Sequence, residues 1–353
     1  SADYSVHHRE DLFSMARTNP LDQVKHRAML QRRLQLRENP FPKDRWPSLD
    51  DLVFLPANLS RLVIDPYREA CRIDVALGDT LALDLPFLVT GFDSAPEDVR
   101  LALGTALSEL GVAYLGRRPL SDATPWLALE PDADCHGMAG RIQPWDALSE
   151  LDGFVGGLRG ASVSRVDEVD AAVDAALEHE LDLLLLDGSA ATGGVGGELD
   201  ECPRFDLLPH AVMALRRRRR EEHVALVYHG GMRSGTDAAK MIALGASAVV
   251  YGVAAAIAAG GTIRDNALDY HSDRMPEDRT AGLRALLQAN ASEASMMARC
   301  TGKTRLHNLE PEDLRAVTLA TAEMTQVPLA GHRPNAAQAN DVGAENRDMS
   351  ARG

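Results

Sequence analysis

Three features of the chain predict an α/β fold of the (β/α)8, or TIM, barrel type. Short, mostly apolar runs alternate with helix-length amphipathic stretches, the pattern of a parallel sheet with crossover helices. The segment 46–332 is close in length to the roughly 250 residues typical of such a barrel. Two successive strands in its C-terminal half each end in glycine, one βα unit apart.

Residues 1–45 are rich in His, Arg and Lys. Apolar side chains at Leu21, Val24, Met29, Leu30, Leu34 and Leu36 predict a short amphipathic helix, an N-terminal helical extension. Pro40, Pro42 and Pro47 punctuate the chain before the barrel. Strands are expected at Leu85–Thr90, Val112–Leu115, Trp126–Leu129, Phe154–Leu158, Leu183–Leu186, Ala225–Tyr228 and Ala248–Tyr251. Helices are expected between them at Glu97–Leu110, Val166–His179, Leu207–Arg219 and Thr236–Leu244. An eighth strand belongs within Gly137–Leu148, unless the barrel is shortened or irregular there. Residues 333–353 are polar, small and patternless, and predict a flexible tail.

The composition narrows the function. The 353 residues carry 37 basic and 52 acidic side chains, a net charge of −15, which argues against a general nucleic-acid binder. No apolar run approaches the roughly 18 residues of a membrane helix, and Ser1–Glu10 carries no signal-peptide core, so no membrane association is expected. Four cysteines (Cys71, Cys135, Cys202 and Cys300) lie far apart, with no CxxC and no zinc spacing; buried thiols in a reducing cytoplasm are expected. Five arginines, Arg216–Arg220, end a predicted helix, where cations suit the macrodipole.

The clearest chemistry lies in ValTyrHisGlyGlyMetArgSerGlyThrAsp (227–237) and the segment after it, which ends in TyrGly at 251–252. A strand running into Gly230-Gly231 lets backbone N–H groups approach an anion. Ser234 or Thr236 can cap the next helix, and Gly245 turns it into the following strand. That strand finishes at Gly252, which exposes the N–H groups of Val253 and Ala254. Two such strand ends form the phosphate cup of a barrel. The candidate cofactor-binding residues are therefore His229, Gly230, Gly231, Met232, Arg233, Gly252 and Val253. Arg233 is a candidate phosphate partner through its guanidinium fork, and His229 a candidate for the phosphate or a neighbouring sugar chain.

This segment resembles the FMN-binding barrels and the nucleotide-binding barrel of inosine monophosphate dehydrogenase. CysThrGlyLysThrArgLeuHisAsnLeuGluProGluAspLeuArgAlaValThr (300–318), ThrGlnValProLeuAlaGly (325–331) and ProSerLeuAspAspLeuValPheLeuProAlaAsnLeuSerArgLeu (47–62) resemble the two ends of the glutamate synthase FMN-binding (central) domain. AspGlySerAlaAlaThrGlyGlyValGlyGly (187–197) is similar to that family's Asp-Gly and Gly-Gly-Thr-Gly loop, with a two-residue insertion and Val195 in place of Thr. The resemblance implies bound FMN, reduction of 2-iminoglutarate to glutamate, and an iron–sulfur cluster that relays electrons.

Several positions depart from the family. Its three cluster cysteines would fall in 258–274, which contains none, so no iron–sulfur cluster is expected. Its flavin-contacting lysine aligns with Leu158, leaving Arg159, one place on, as the weak catalytic candidate. The family's loops after the first and second strands become PheAspSerAlaPro (92–96) and GlyArgArgProLeu (116–120). His136 beside Cys135 is not expected to form a catalytic pair, nor Asp134, His271 and Asp273 a metal site. Lys303 and His307 are expected to be structural, with Asn308 capping a helix. The expected function is a divergent FMN-dependent oxidoreductase acting on a small amino- or imino-acid-like substrate. The alternatives are a catalytically silent barrel serving a partner enzyme, or a barrel holding another phosphate ligand. A protein partner, an electron donor and an oligomeric assembly stay open.

Overall fold

A computed structural model describes residues 47–57, 69–130, 137–151, 154–189, 198, 203–264, 267–270 and 275–331. The expected N-terminal helix and C-terminal tail lie outside the described residues. So do Asp134, Cys135, His136, Cys202, His271 and Asp273.

In chain order the elements are β1 (Leu52–Phe54), β2 (Val75–Leu77), β3 (Leu81–Leu83), β4 (Phe87–Thr90), α1 (Glu97–Glu109), β5 (Ala113–Gly116), β6 (Trp126–Leu129), β7 (Gly140–Pro144), β8 (Leu158–Val163), α2 (Val169–Glu178), β9 (Leu183–Asp187), α3 (Leu207–Arg218), β10 (Ala225–His229), α4 (Gly235–Ala243), β11 (Ala248–Tyr251), α5 (Val253–Ala258), β12 (Gly261–Arg264), β13 (Ala267–Tyr270), α6 (Pro276–Cys300), β14 (Leu314–Ala316) and α7 (Leu319–Thr325). Strands β4 to β11 form a closed barrel, every neighbouring pair parallel, with β9 and β11 flanking β10. The eighth strand is β7, inside the interval the sequence reserved for it.

Alternation along the strands divides the apolar residues into two cores. Leu88, Leu115, Leu127, Leu183, Val227 and Val250 point inward and fill the lumen. Phe87, Tyr114, Trp126, Leu184, Tyr228 and Tyr251 point outward beneath the helices. The β2–β3 hairpin places Leu77, Leu81 and Leu83 in the lumen cluster and so closes the N-terminal end of the barrel. The chemistry is left to the opposite rim, where the strands end.

One strand is displaced from its expected place. The run Phe154–Leu158 is apolar, but Gly156 takes a left-handed φ of 94° and Val155 is 89% exposed. The chain turns there, and β8 begins only at Leu158. At the other end of the sequence, Asn308 caps no helix. Glu310 caps the short turn Pro311–Asp313 reciprocally with Asp313, and the chain enters β14. That strand pairs antiparallel with β1, so the two segments that most resemble the glutamate synthase domain lie side by side. The arginine run closes α3 as expected: Arg219 turns left-handed, while Arg217 and Arg218 pair with Asp170 and Asp174 of α2.

Candidate functional site: an anion cup at the barrel rim

The ends of β10 and β11 meet in a cup. After His229, Gly230 and Gly231 take φ of 141° and 66°, and a side chain at Gly231 would strike the Pro203 ring, its Cβ 2.5 Å from Cγ. Glycine is therefore required by conformation and by space together. Ser234 caps α4 by accepting a hydrogen bond from the Asp237 N–H, which settles the choice between Ser234 and Thr236. One unit on, Gly252 precedes α5, whose first residue is Val253.

The N–H groups of these two strand ends converge on a single side chain. Gly231 N–H donates to Glu198 Oε1 at 2.8 Å, and Val253 N–H donates to Glu198 Oε2 at 2.6 Å. Glu198 is fully buried. Burial pushes its carboxyl above the usual carboxylate range, an effect partly offset by the His229 charge and the two N–H groups.

Beside the cup stands a buried polar group. Asp187 and His229 end neighbouring strands and are paired in register, so both face into the barrel mouth. His229 Nδ1 lies 3.1 Å from Asp187 Oδ1 and 3.3 Å from Ser189 Oγ, and Ser189 donates to Asp187 through its hydroxyl (2.7 Å) and its N–H (3.1 Å). On the other side of the ring, His229 Nε2 is 3.6 Å from Glu198 Oε1, too far for a hydrogen bond, and it has no hydrogen-bond partner among the described residues. Burial opposes a charged imidazole here. Asp187 and Glu198 outweigh burial and raise the His229 pKa above its ordinary value. Asp187 resists its own burial through His229 and Ser189, which hold its carboxyl below the usual range. No group of three or more such side chains among the described residues is placed to hold a metal ion.

The remaining candidates divide. Met232 is buried in the outer core. Arg233 is committed elsewhere. Its Nε donates to Asp237 Oδ2 at 2.9 Å, and its two terminal nitrogens donate to Asp50 at 3.0 and 3.1 Å, clamping the segment before β1 onto α4. The fork that suggested a phosphate partner is thus filled by two carboxylates of the chain itself. Arg159 lies outside the barrel near the start of β8; its N–H donates to Asp182 and its guanidinium reaches the His179 carbonyl. It is not brought to the mouth. Leu158 points inward but opens β8, at the bottom of the lumen. The inward position near the rim, from which a side chain could meet a ligand over the mouth, is Ser162.

Sequence reasoning missed Glu198, and it saw Asp187 and Ser189 only as part of a loop motif. The signal for Glu198 was an acidic residue immediately after a glycine-rich stretch, opposite a double glycine in the fold.

The class of protein is fixed by this geometry: an eight-stranded parallel barrel with an anion-holding rim at the strand ends β10 and β11. Residues 196–266, which span Glu198 and both strand ends, match the profile of the family described as FMN-dependent dehydrogenase. Over 392 aligned positions the chain is 29% identical to the glutamate synthase large subunit-like protein of Rhizobium meliloti (strain 1021), with 82% of this chain and 89% of that protein covered. The chain therefore resembles the FMN-binding domain of the glutamate synthase family. Among solved structures, the recombinant flavin-binding domain of baker's yeast flavocytochrome b2 is 16% identical, with a TM-score of 0.56 over 83% of this chain and 81% of that one. A structure described as the monotopic membrane protein (S)-mandelate dehydrogenase is 14% identical, with a TM-score of 0.55 over 76% and 89%. Both likenesses show the shared barrel fold. No helix among the described residues is long and apolar enough to cross a membrane.

Proposed function

We propose that the chain is a divergent FMN-dependent oxidoreductase of the glutamate synthase-like type, acting on a small amino- or imino-acid-like substrate. The observation that carries this reading is the convergence of the Gly231 and Val253 N–H groups on both oxygens of one carboxylate. A donor set that chelates a carboxylate fits the oxygens of a phosphate, with Glu198 as the stand-in. Gly231 N–H, Val253 N–H and His229 Nε2 would hold that phosphate. Bound FMN would supply two-electron exchange with a substrate at the mouth. Asp187 and Ser189 would orient the His229 ring and stabilise its protonated form, with Nδ1–H held by Asp187 and Nε2–H directed as a donor toward the cup. With no cysteine in 258–274, electrons would pass directly between the site and a small molecule or a partner flavoprotein rather than through a cluster there. The free thiols of Cys71 and Cys300 suit a reducing, cytoplasmic setting.

The test is flavin content. Protein purified in the presence of FMN should show flavin absorbance near one equivalent per chain. Protein that stays colourless and takes up no FMN would favour a silent barrel serving a partner enzyme. The observation on that side is the buried Glu198, which already occupies the donors a cofactor phosphate would need.

A further inference from the structure

We propose that the cup is a self-ligated anion site: Glu198 is its resident carboxylate, and a phosphate monoester that displaces it gains His229 Nε2 as a third donor. This rests on the cup described above and not on the ligand being a flavin.

Three observations carry it. First, both oxygens of Glu198 are used, one by each strand end, so the carboxylate is chelated and does not merely lie nearby. Second, Glu198 is fully buried, and a buried carboxylate is costly unless its surroundings hold it. Buried N–H groups without an acceptor are costly too. When the side chain enters the cup the N–H groups gain an acceptor and partly offset the burial of the carboxylate. Third, the planar carboxylate, held by the two N–H groups, leaves its Oε1 3.6 Å from His229 Nε2, beyond hydrogen-bond reach. His229 Nε2 is buried, aimed at the cup and without a hydrogen-bond partner. A phosphate monoester presents three non-bridging oxygens in a tetrahedral arrangement, one more than Glu198 can offer. The three donors of the site, two N–H groups and one imidazole, suit the tetrahedral spread of a phosphate, whereas the planar carboxylate reaches only two of them.

Charge points the same way. Asp187 holds the far side of the His229 ring, and the ring lies between two carboxylates. Arg233, the nearest arginine in sequence, is clamped to Asp50 and Asp237. A dianion entering while Glu198 stays ionised in the cup would meet its charge at contact distance, so binding and Glu198 exclude each other.

The experiment measures the affinity of wild type, Glu198→Ala and Glu198→Gln for inorganic phosphate and, separately, for FMN, by calorimetry and by thermal shift. Glu198→Ala should bind phosphate at least tenfold more tightly than wild type, and Glu198→Gln should fall between. Glu198→Ala should also be less stable than wild type without ligand, and added phosphate should restore its melting temperature while leaving wild type nearly unmoved. If the alanine variant is too unstable to isolate, the glutamine variant, which keeps the shape, carries the comparison and should still bind more tightly than wild type. A gain for phosphate without any uptake of FMN by either variant would uphold the self-ligated site and remove the flavin reading. Equal or weaker phosphate binding by the folded variants overturns the inference, and FMN bound by wild type as tightly as by Glu198→Ala overturns it while leaving the flavin reading intact.

Discussion

The rim of the barrel is built in two ways. On the β10–β11 side the functional groups are backbone: Gly231 and Val253 offer N–H groups fixed by strand ends and helix starts. On the β4–β5 side the loops are held by side chains. Asp93 accepts from the Tyr114 hydroxyl at 3.0 Å and from the Arg117 N–H at 3.0 Å, and Tyr114 in turn accepts from the Phe92 N–H at 3.1 Å. Arg100 ties the Asp93 carbonyl (3.0 Å) to that of Pro119 (2.6 Å), joining the two loops directly. A backbone site survives sequence change as long as its glycines remain. A side-chain site is rewritten by each substitution. This is why the β10–β11 side still resembles the FMN-binding barrels while the loops 92–96 and 116–120 depart from the glutamate synthase pattern.

The strongest way to break the backbone side is to push its helix away. A Cβ on Gly235, at the start of α4, would lie 2.0 Å from the Asn290 carbonyl oxygen and 2.7 Å from the Ala294 nitrogen of α6, and neither backbone atom can move alone. Gly235→Ala should therefore cost roughly 3 kcal/mol or more, visible as a large drop in melting temperature. A loss under about 1 kcal/mol would show that α4 and α6 have more room than the structure gives them.

Next in size is Gly231→Asp. The left-handed φ and the Pro203 ring disfavour any side chain, at roughly 1–3 kcal/mol, and the new carboxylate would face the same donors as Glu198. Added to Glu198→Ala, where the cup is open, Gly231→Asp should abolish binding of FMN and of inorganic phosphate together, as measured by equilibrium dialysis. Unchanged affinity in a folded variant would place the ligand elsewhere.

Asp93→Ala tests the other half. It removes the acceptor of Arg117 N–H and of the buried Tyr114 hydroxyl, whose pKa burial and Asp93 hold well above its ordinary value. The expected cost is about 1–2 kcal/mol, with anion affinity at the cup unchanged. A parallel loss of phosphate binding would mean that the two halves of the rim are one unit.

How much of this was legible follows the same division. Six of the eight barrel strands were readable because each is a short apolar run bounded by polar or glycine punctuation, and β7 could be placed by interval alone. The exception was β8, where a left-handed Gly156 breaks the apolar run Phe154–Leu158. The glycines and Val253 of the cup were readable because backbone donors need only a local pattern. Arg233 looked like a phosphate ligand because its partner Asp50 lies far away in sequence and joins it only in the fold. Glu198 was missed for the same reason: its two hydrogen bonds reach Gly231 and Val253, and the glycine-rich stretch before it does not by itself mark an acid as the occupant of a distant cup.

The smallest expected effect is the titration of His229, which asks whether the charges on the cup side act together. Burial opposes the imidazolium, but Asp187 and Glu198 raise its pKa above 6.5, so folding gains from protonated His229. The sign follows: that contribution is fully present below pH 6.5 and fades as pH rises through the higher folded value. Glu198 is raised as well, so it adds its own loss of stability as pH climbs from 4.5 through its folded value. Asp187 is lowered, and its contribution is present above 3.8 and lost only as pH falls through its folded value. Wild type should therefore lose stability toward urea between pH 6.5 and the upper end of the His229 titration. The ring resonance can be assigned by its disappearance in His229→Asn, and its NMR midpoint should lie above 6.5 in wild type. Removing one of the two carboxylates that raise it, in Glu198→Gln, should move that midpoint down, whereas Asp93→Ala on the far loops should leave it where it was. A wild-type midpoint below 6.5 would mean that the imidazole is neutral beside the cup and takes no part in holding an anion there, and one that ignores Glu198→Gln would mean that Asp187 alone raises it.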